Sequence, residues 1–437
     1  MAPGSDRPGE AVGLRTHPLT AVVQGALWAV AASVGLLGSL FTGDAFGDLS
    51  PLLSLVAALV GGLLLGMGAG YVGWLFTRYV IDGTELRITS GVITKSSRRI
   101  PYERIQSVDI AEPFVARLLG LAELRIEMAG GKDSRTSLRF LSLEDTRELR
   151  RVLLSRAHGD SPVEEVAEHR SVITIVGPDR VIIGTLLSLD FVLATAVTVG
   201  LVVAAIWFEQ VVVLLGGVVA VGTWVVQIVG KRILQQWDFT LSRGERGLRI
   251  ERGLFSRTSQ TIPYARVQGI AVKEPFVWRR FGWQRLEVDV AGYAAHSSEE
   301  GPASSSTLLP IADRALAEAI VRELIPGVML DDLPRTCAPS RSWPFAPVGW
   351  RYRWIAADDI AFVAREGWIE RSTSIVPHRK TQSVEVRQGP LQRRRGVATI
   401  EVHTPQGPVD ADGRHLDERD ARAALVAQLA RARAARS

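Results

Sequence analysis

Nearly uncharged apolar blocks alternate along this chain with stretches dense in Arg and Glu. The first block, Leu19 to Phe41, runs twenty-three residues without a formal charge, and a second, Pro51 to Phe76, follows a connector that carries Asp44 and Asp48 but no Lys or Arg. Each is long enough to cross the ~30 Å of bilayer hydrocarbon as a helix, which takes ~20 residues. A second pair, Val181 to Trp207 and Val211 to Gly230, is separated by little more than Phe208, Glu209 and Gln210. The pattern predicts four transmembrane helices in two α-helical hairpins, over residues 19–77 and 181–230. Asp190 is then an acid inside a span, a position that is costly and marks a candidate functional group.

Between and after the hairpins one unit recurs three times. Gly91 to Gln106 reads GVITKSSRRIPYERIQ, Gly253 to Gln268 reads GLFSRTSQTIPYARVQ, and Gly367 to Gln382 reads GWIERSTSIVPHRKTQ. In every copy the glycine lies ten positions before the proline (Pro101, Pro263, Pro377) and the proline five before the glutamine (Gln106, Gln268, Gln382). A later glycine, Gly120, Gly282 or Gly396, lies nineteen beyond each proline. Such a repeated period is the signature of a repeated structural unit. Apolar and polar residues alternate in Leu124-Arg125-Ile126-Glu127, Leu286-Glu287-Val288-Asp289 and Thr399-Ile400-Glu401-Val402, the period of half-buried strands. Each unit closes in a helical pattern, Leu143 to Leu154, Ala312 to Leu324 and Leu416 to Leu429, with Asp or Ser near its start as a cap. The motif glycines are expected at strand ends or turns, and the prolines at strand starts, where no ladder donor is needed.

Together these motifs resemble the bacterial pleckstrin-homology family 2, and the threefold arrangement with hairpins is similar to its multi-span YdbT-type members. The resemblance implies a pleckstrin-homology-like fold, a small barrel or sandwich of about seven strands in two sheets closed by a C-terminal helix. The fold class expected is therefore a membrane protein of two hairpins carrying three such β-rich domains. The boundaries are an N-terminal tail 1–18, hairpin 19–77, domain 78–157, linker 158–180, hairpin 181–230, domain 233–326, Pro-rich linker 327–349 and domain 350–433. The third copy, set off by that linker, is expected to fold alone. It departs from the others in having His378 where they have Tyr102 and Tyr264.

Charge adds orientation and one candidate surface. Arg7, Arg15, Arg78, Arg180, Lys231 and Arg232 flank the hairpins on one side, which by the positive-inside rule puts the N-terminus and all three domains in the cytoplasm of a bacterial plasma membrane protein. A net charge of +5 fits an anionic membrane surface. Lys95, Arg98, Arg99 and Arg104, echoed by Arg257 and Arg266 and by Arg371, Arg379 and Lys380, form a candidate face for lipid headgroups or a partner, against the plainer reading of a solvated strand face. The motif glutamines are expected to make internal hydrogen bonds.

Chemistry is sparse. The seven histidines form no H-E-x-x-H pair, there is no Walker-type loop or G-x-S-x-G turn, and the single cysteine, Cys337, excludes a disulfide within the chain. No catalytic residue, metal or cofactor is expected, and no nucleic-acid module is recognisable. The sequence points to a noncatalytic membrane scaffold, serving envelope maintenance or stress response, whose partners are the bilayer and another protein or further copies of itself. The alternatives are a lipid-binding or lipid-handling protein, and a transporter or channel subunit using Asp190.

Overall fold

The computed structural model describes residues 14–15, 19, 28, 51–76, 78–90, 96–128, 135–158, 171–207, 217, 222–223, 230–244, 247–291, 307–329, 333–405, 407 and 409–436. The chain forms two compact units, Met1–Val166 with Phe255–Gln260, and Ala167–Leu254 with Thr261–Ser437.

In the first unit an antiparallel sheet has the order β1 (Leu14–Arg15), β2 (Arg78–Ile81), β3 (Glu85–Ser90), β4 (Ser96–Pro101). A second meander, β5 (Ile105–Glu112), β6 (Leu121–Met128) and β7 (Arg135–Ser142), follows it. Leu86, Ile88 and Ile100 from one sheet and Val108, Leu124, Ile126 and Leu138 from the other enclose one core. Helix α1 (Pro51–Phe76) precedes β2, and helix α2 (Leu143–His158) closes the unit by burying Leu149 and Leu153. The start of α2 is fixed by Ser142, whose Oγ accepts the Asp145 N–H at 3.0 Å and donates to the Asp145 carboxylate at 2.6 Å. Seven strands and a closing helix match the expected domain, with α2 one turn longer than the apolar periodicity indicates.

The second unit holds the other two copies. Strand β8 (Ser171–Val176) pairs with β9 (Phe239–Gly244), which pairs with β10 (Gly247–Arg252). After β11 (Arg257–Pro263), whose residues up to Gln260 belong to the first unit, come β12 (Val267–Pro275), β13 (Trp283–Val290), β14 (Thr307–Asp313) and the closing helix, Arg314–Leu324. The third copy comprises β15 (Thr336–Cys337), β16 (Trp354–Ala357), β17 (Ala361–Glu366), β18 (Glu370–Pro377), β19 (Ser383–Arg387), β20 (Val397–His403), β21 (Ala411–Asp417) and the helix Glu418–Ala434. The two copies are fused: β12 pairs with β18 over six residue pairs, giving one seven-stranded sheet β14-β13-β12-β18-β17-β16-β15, beside a three-stranded sheet β19-β20-β21. Trp354, Val363 and Ile375 of the third copy join the core of the second, while Ala271 of the second joins the core of the third. The third copy is thus not set off from the second as a separate body, and its first sheet has apolar side chains on both faces.

The segments between strands carry the apolar blocks. Each copy begins with a strand that pairs with the next strand of the same copy, β1 with β2, β8 with β9 and β15 with β16. The first and second hairpin blocks fall between those two strands, where the third copy has only residues 338–353. Among the described residues, α1 is long and apolar enough to cross a membrane, its length coinciding with the expected Pro51–Phe76 span. The block expected from Val181 to Trp207 is broken, with α3 (Pro178–Leu186) and α4 (Leu189–Trp207) meeting at a 51° bend and passing the same test as a bent pair. Val181, Gly184 and Thr185 are buried, Val181 in the core of the second copy, so α3 lies on the β domain and does not begin a straight span. Trp278 fixes it there by donating its indole N–H to the Gly184 carbonyl at 3.1 Å, and a Cβ at Gly184 would fall on Ile311. Hydroxyl bonds from Thr185 to the Val181 carbonyl and from Ser188 to the Thr185 carbonyl, both back along the helix, accompany the bend. The spans expected at Leu19–Phe41 and Val211–Gly230 lie outside the described residues apart from Leu19, Trp28, Gly217, Gly222, Thr223 and Gly230. Four transmembrane helices are therefore not established by the fold.

Candidate docking edges and basic residues

The motif residues shape backbone. Gly253 and Gly367 have φ of 111° and 87°, and Gly120, Gly282 and Gly396 have φ of 68°, 67° and 59°, left-handed values that favour a residue without Cβ. Gly91 lies outside the described residues. Pro101, Pro263 and Pro377 end β4, β11 and β18 instead of starting strands as expected, and each leads into one 3-10 turn, Tyr102–Arg104, Tyr264–Arg266 or His378–Lys380. At a strand's last residue the missing N–H costs no ladder bond, and the fixed φ aims the chain into the turn.

The residue after the proline ties that turn to another part of its copy. Tyr102 Oη lies 2.6 Å from the Asp82 carbonyl and 3.0 Å from that of Glu85, and His378 Nε2 lies 3.0 Å from the Asp358 carbonyl. Asp82 and Asp358 hold the same place in their copies, so the His378 departure preserves the tie. Burial lowers the His378 pKa, keeping the ring neutral with its proton on Nε2. Tyr264 instead donates to Glu323 at 2.8 Å, and burial with that carboxylate pushes its pKa up to about 12. Gln268 Nε2 donates to the Arg266 carbonyl at 3.0 Å, whereas the Gln382 side chain is exposed. The Gln106 side chain lies outside the described residues.

The basic residues differ in exposure and in what they touch. Arg99 is 67% exposed and 3.9 Å from Glu85, and Arg104 is exposed, but Arg98 donates to Thr136 Oγ1 at 2.7 Å. Lys95 lies outside the described residues. Arg257 and Arg379 are exposed and Arg266 is half-buried. Arg371 stacks over the Tyr352 ring at 5.0 Å, and Lys380 donates to the Ala265 carbonyl at 2.7 Å. The third copy thus spends two of its three basic candidates internally.

Asp190 stands in the first turn of α4, exposed and ion-paired with Arg232, not midway along a span. Its position follows from the bend, which makes a new helix start one residue earlier, at Leu189. Cys337 is exposed. Glu385, Glu401 and His403 present ligand atoms within 4.8 Å of one another, but Arg387 lies 3.3 Å from Glu401 and 3.5 Å from Glu385, so a cation would compete with a guanidinium. An apolar groove of about 620 Å³ along α3 and α4 offers the Thr195 hydroxyl, already bonded to the Phe191 carbonyl at 2.9 Å.

Sequence reasoning missed the strand edges. Within the first unit, Glu112, Ala111 and Ile110 of β5 pair with Arg257, Thr258 and Ser259 of β11. Within the second, Glu274, Lys273 and Val272 of β12 pair with Arg371, Ser372 and Thr373 of β18. The β12 junction also buries Asp289, whose carboxylate faces Thr404 Oγ1 at 3.4 Å and leaves no room for a side chain at Gly407. Desolvation raises its pKa to about 7 against the hydrogen bonds from Thr404 and the Val409 backbone. The available signal was the cross-strand Arg and Glu at matching motif offsets.

Comparison with known proteins accords with this architecture. The UPF0699 transmembrane protein YdbT of Bacillus subtilis (strain 168) is 24% identical over 306 residues, which are 62% of this chain and 61% of that protein, so the chain spans about six tenths of the relative's length. The bacterial PH domain matches residues 26–157, 184–328 and 333–433, the first two matches running through the apolar blocks that interrupt the sheets. Since these matches take in well over half of its residues, the chain belongs to the bacterial PH domain family.

Proposed function

We propose that the protein is a noncatalytic, membrane-anchored scaffold that displays three PH-like domains on the cytoplasmic face for protein partners, in envelope maintenance or stress response. The observation that carries this reading is the pairing of β8 with β9 across the second apolar insert, repeated by β1 with β2 across the first. Two strands paired in one sheet stand on the same side of a membrane, so each insert must cross an even number of times. Helix α1 supplies one crossing of the first insert, and α4, about 28 Å long at ~1.5 Å per residue, supplies one of the second. The remaining crossings fall to the uncharged blocks at Leu19–Phe41 and Val211–Gly230. The basic flanks set the side. The name of the Bacillus relative, a transmembrane protein, supports membrane residence. Reporter fusions at Gly159, Pro334 and the C-terminus should all report cytoplasm and a fusion at Gly47 the outside; an external signal at Pro334 refutes the arrangement.

A second reading is contact with anionic headgroups. It is favoured by the two-residue step from the end of α1 at Phe76 to β2 at Arg78, which holds Arg78, Arg99 and Arg104 near the membrane surface. Each basic residue there is worth ~1 kcal/mol.

A further inference from the structure

Aligned on Pro101, Pro263 and Pro377, the β5–β11 and β12–β18 pairings have the same register residue for residue, with Glu112 opposite Arg257 in one and Glu274 opposite Arg371 in the other. Each joins the first strand of one copy's second sheet to the last strand of the following copy's first sheet. Among the described residues, two strands of these kinds end their sheets: β4 in the sheet β1-β2-β3-β4, and β19 in the sheet β19-β20-β21. They are the complementary halves of the same junction. In the first copy β4 has the place of β11 and β18, and in the third β19 has the place of β5 and β12. Their inner ladders keep that alignment, since Ile88 faces Arg98 as Ala364 faces Ser374, and Val384 faces Val402 as Ile270 faces Val288.

We propose that copies of this chain associate head to tail, β19 of one copy adding antiparallel to β4 of the next in the register of the internal junctions. That register sets Val386 opposite Ser97 and Glu385 opposite Arg98. The internal counterpart of the second pair is Ala271 opposite Ser374, two small buried residues. At the two free edges an acid and a base stand at these places, so the edges are complementary in charge as well as in backbone. Glu385 is exposed, and Arg98, which already donates to Thr136, has a fork of five donors to share. Opposite charges directly across a ladder add to the backbone bonds that any open edge offers. The interface joins unlike surfaces, so it extends beyond two copies.

This inference rests on the scaffold reading and has its own test. In the full chain with Cys337→Ser, in native membranes, Ser97→Cys and Val386→Cys together should give a ladder of two, three and more linked copies on treatment with a mild thiol oxidant. Directly opposed residues of an antiparallel pair stand at a Cα separation of about 4.5–5.5 Å, within disulfide reach. Either cysteine alone should give monomer. Glu385→Arg should reduce the ladder at least tenfold, and adding Arg98→Glu should restore it, a rescue that misfolding does not produce; an unchanged thermal transition of the Glu385→Arg chain checks its fold. Absence of linked copies in the double-cysteine chain, an equal ladder from one cysteine alone, linkage to a different protein, or no rescue by the charge swap overturns the proposal. A monomer whose reporter fusions still read cytoplasm would remove head-to-tail association alone, whereas an external signal at Pro334 would remove the scaffold reading itself.

Discussion

Replacing Trp278 by Phe should detach α3 from the second PH-like domain. The indole is 1% exposed, donates to the Gly184 carbonyl at 3.1 Å and lies under the Arg285 guanidinium at 5.2 Å. Phe keeps an aromatic ring but removes the only donor of the side chain, stranding a buried carbonyl at a cost of ~1–3 kcal/mol. The ring lost also leaves a void, which adds on the order of 1 kcal/mol when the walls relax only in part. The sum, about 2–4 kcal/mol, corresponds to about 4–16 °C for a cooperative unit of this size, at roughly 2–4 °C per kcal/mol. Thermal unfolding of the detergent-solubilised full chain, followed by intrinsic fluorescence, measures it. Gly184→Ala should produce a comparable loss from the other side of the contact, because its Cβ would meet Ile311. Transitions unchanged in both variants would show that α3 is not held on the domain and that the Val181–Trp207 block is free to run straight.

Asp289→Asn should flatten the pH dependence of stability. In the folded chain this carboxyl keeps its proton up to about pH 7, whereas an unfolded Asp releases it near pH 4, so its contribution is fully present below about 4 and is lost as pH rises to 7. The loss reaches at most about 4 kcal/mol at ~1.4 kcal/mol per pH unit, and equal slopes for parent and variant between pH 4 and 7 would refute it. Tyr102→Phe should destabilise the first unit by ~1 kcal/mol through the lost bond to the Asp82 turn, read as a lower denaturant midpoint; an unchanged midpoint would mean that the tie contributes nothing. Arg99→Glu with Arg104→Glu should lower the anionic lipid co-purifying with the full chain, with a difference that shrinks at high salt; equal lipid content at low salt would remove headgroup contact.

The parts of this fold legible in sequence are those set by local spacing. Gly–Pro–Gln intervals located all three copies, because a left-handed glycine and a donorless proline are each tied to one backbone position. Ser142 marked the start of α2 since a hydroxyl cap acts within three residues. The diverted α3 was not legible: an apolar run reads alike in lipid and in a protein core, and its captor Trp278 lies 94 residues away from Gly184. Asp190 was misplaced for the same reason, since the bend that makes it a helix-start residue depends on that docking. The basic candidates were only partly separable, because whether Arg98 or Lys380 is spent internally depends on Thr136 and Ala265, far along the chain.

The fusion of the last two copies did leave a trace in the chain. On the outer face of the first sheet, the third copy carries Trp354, Val363 and Ile375, all buried against the second copy. The same positions hold Arg78, Arg87 and Arg99 in the first copy and Thr240, Arg249 and Thr261 in the second. Fully burying a Val or Ile side chain is worth ~1.5–3 kcal/mol, so a sheet with apolar groups on both faces is stable only when both are covered. A charged outer face imposes the opposite condition, since Arg87 and Arg99 share one carboxylate, Glu85, and placed against an apolar neighbour would lose hydration that it does not replace. One family fold therefore serves two purposes along this chain: the third copy is built to be covered, and the first is built to keep a charged face in water at the point where α1 enters the sheet.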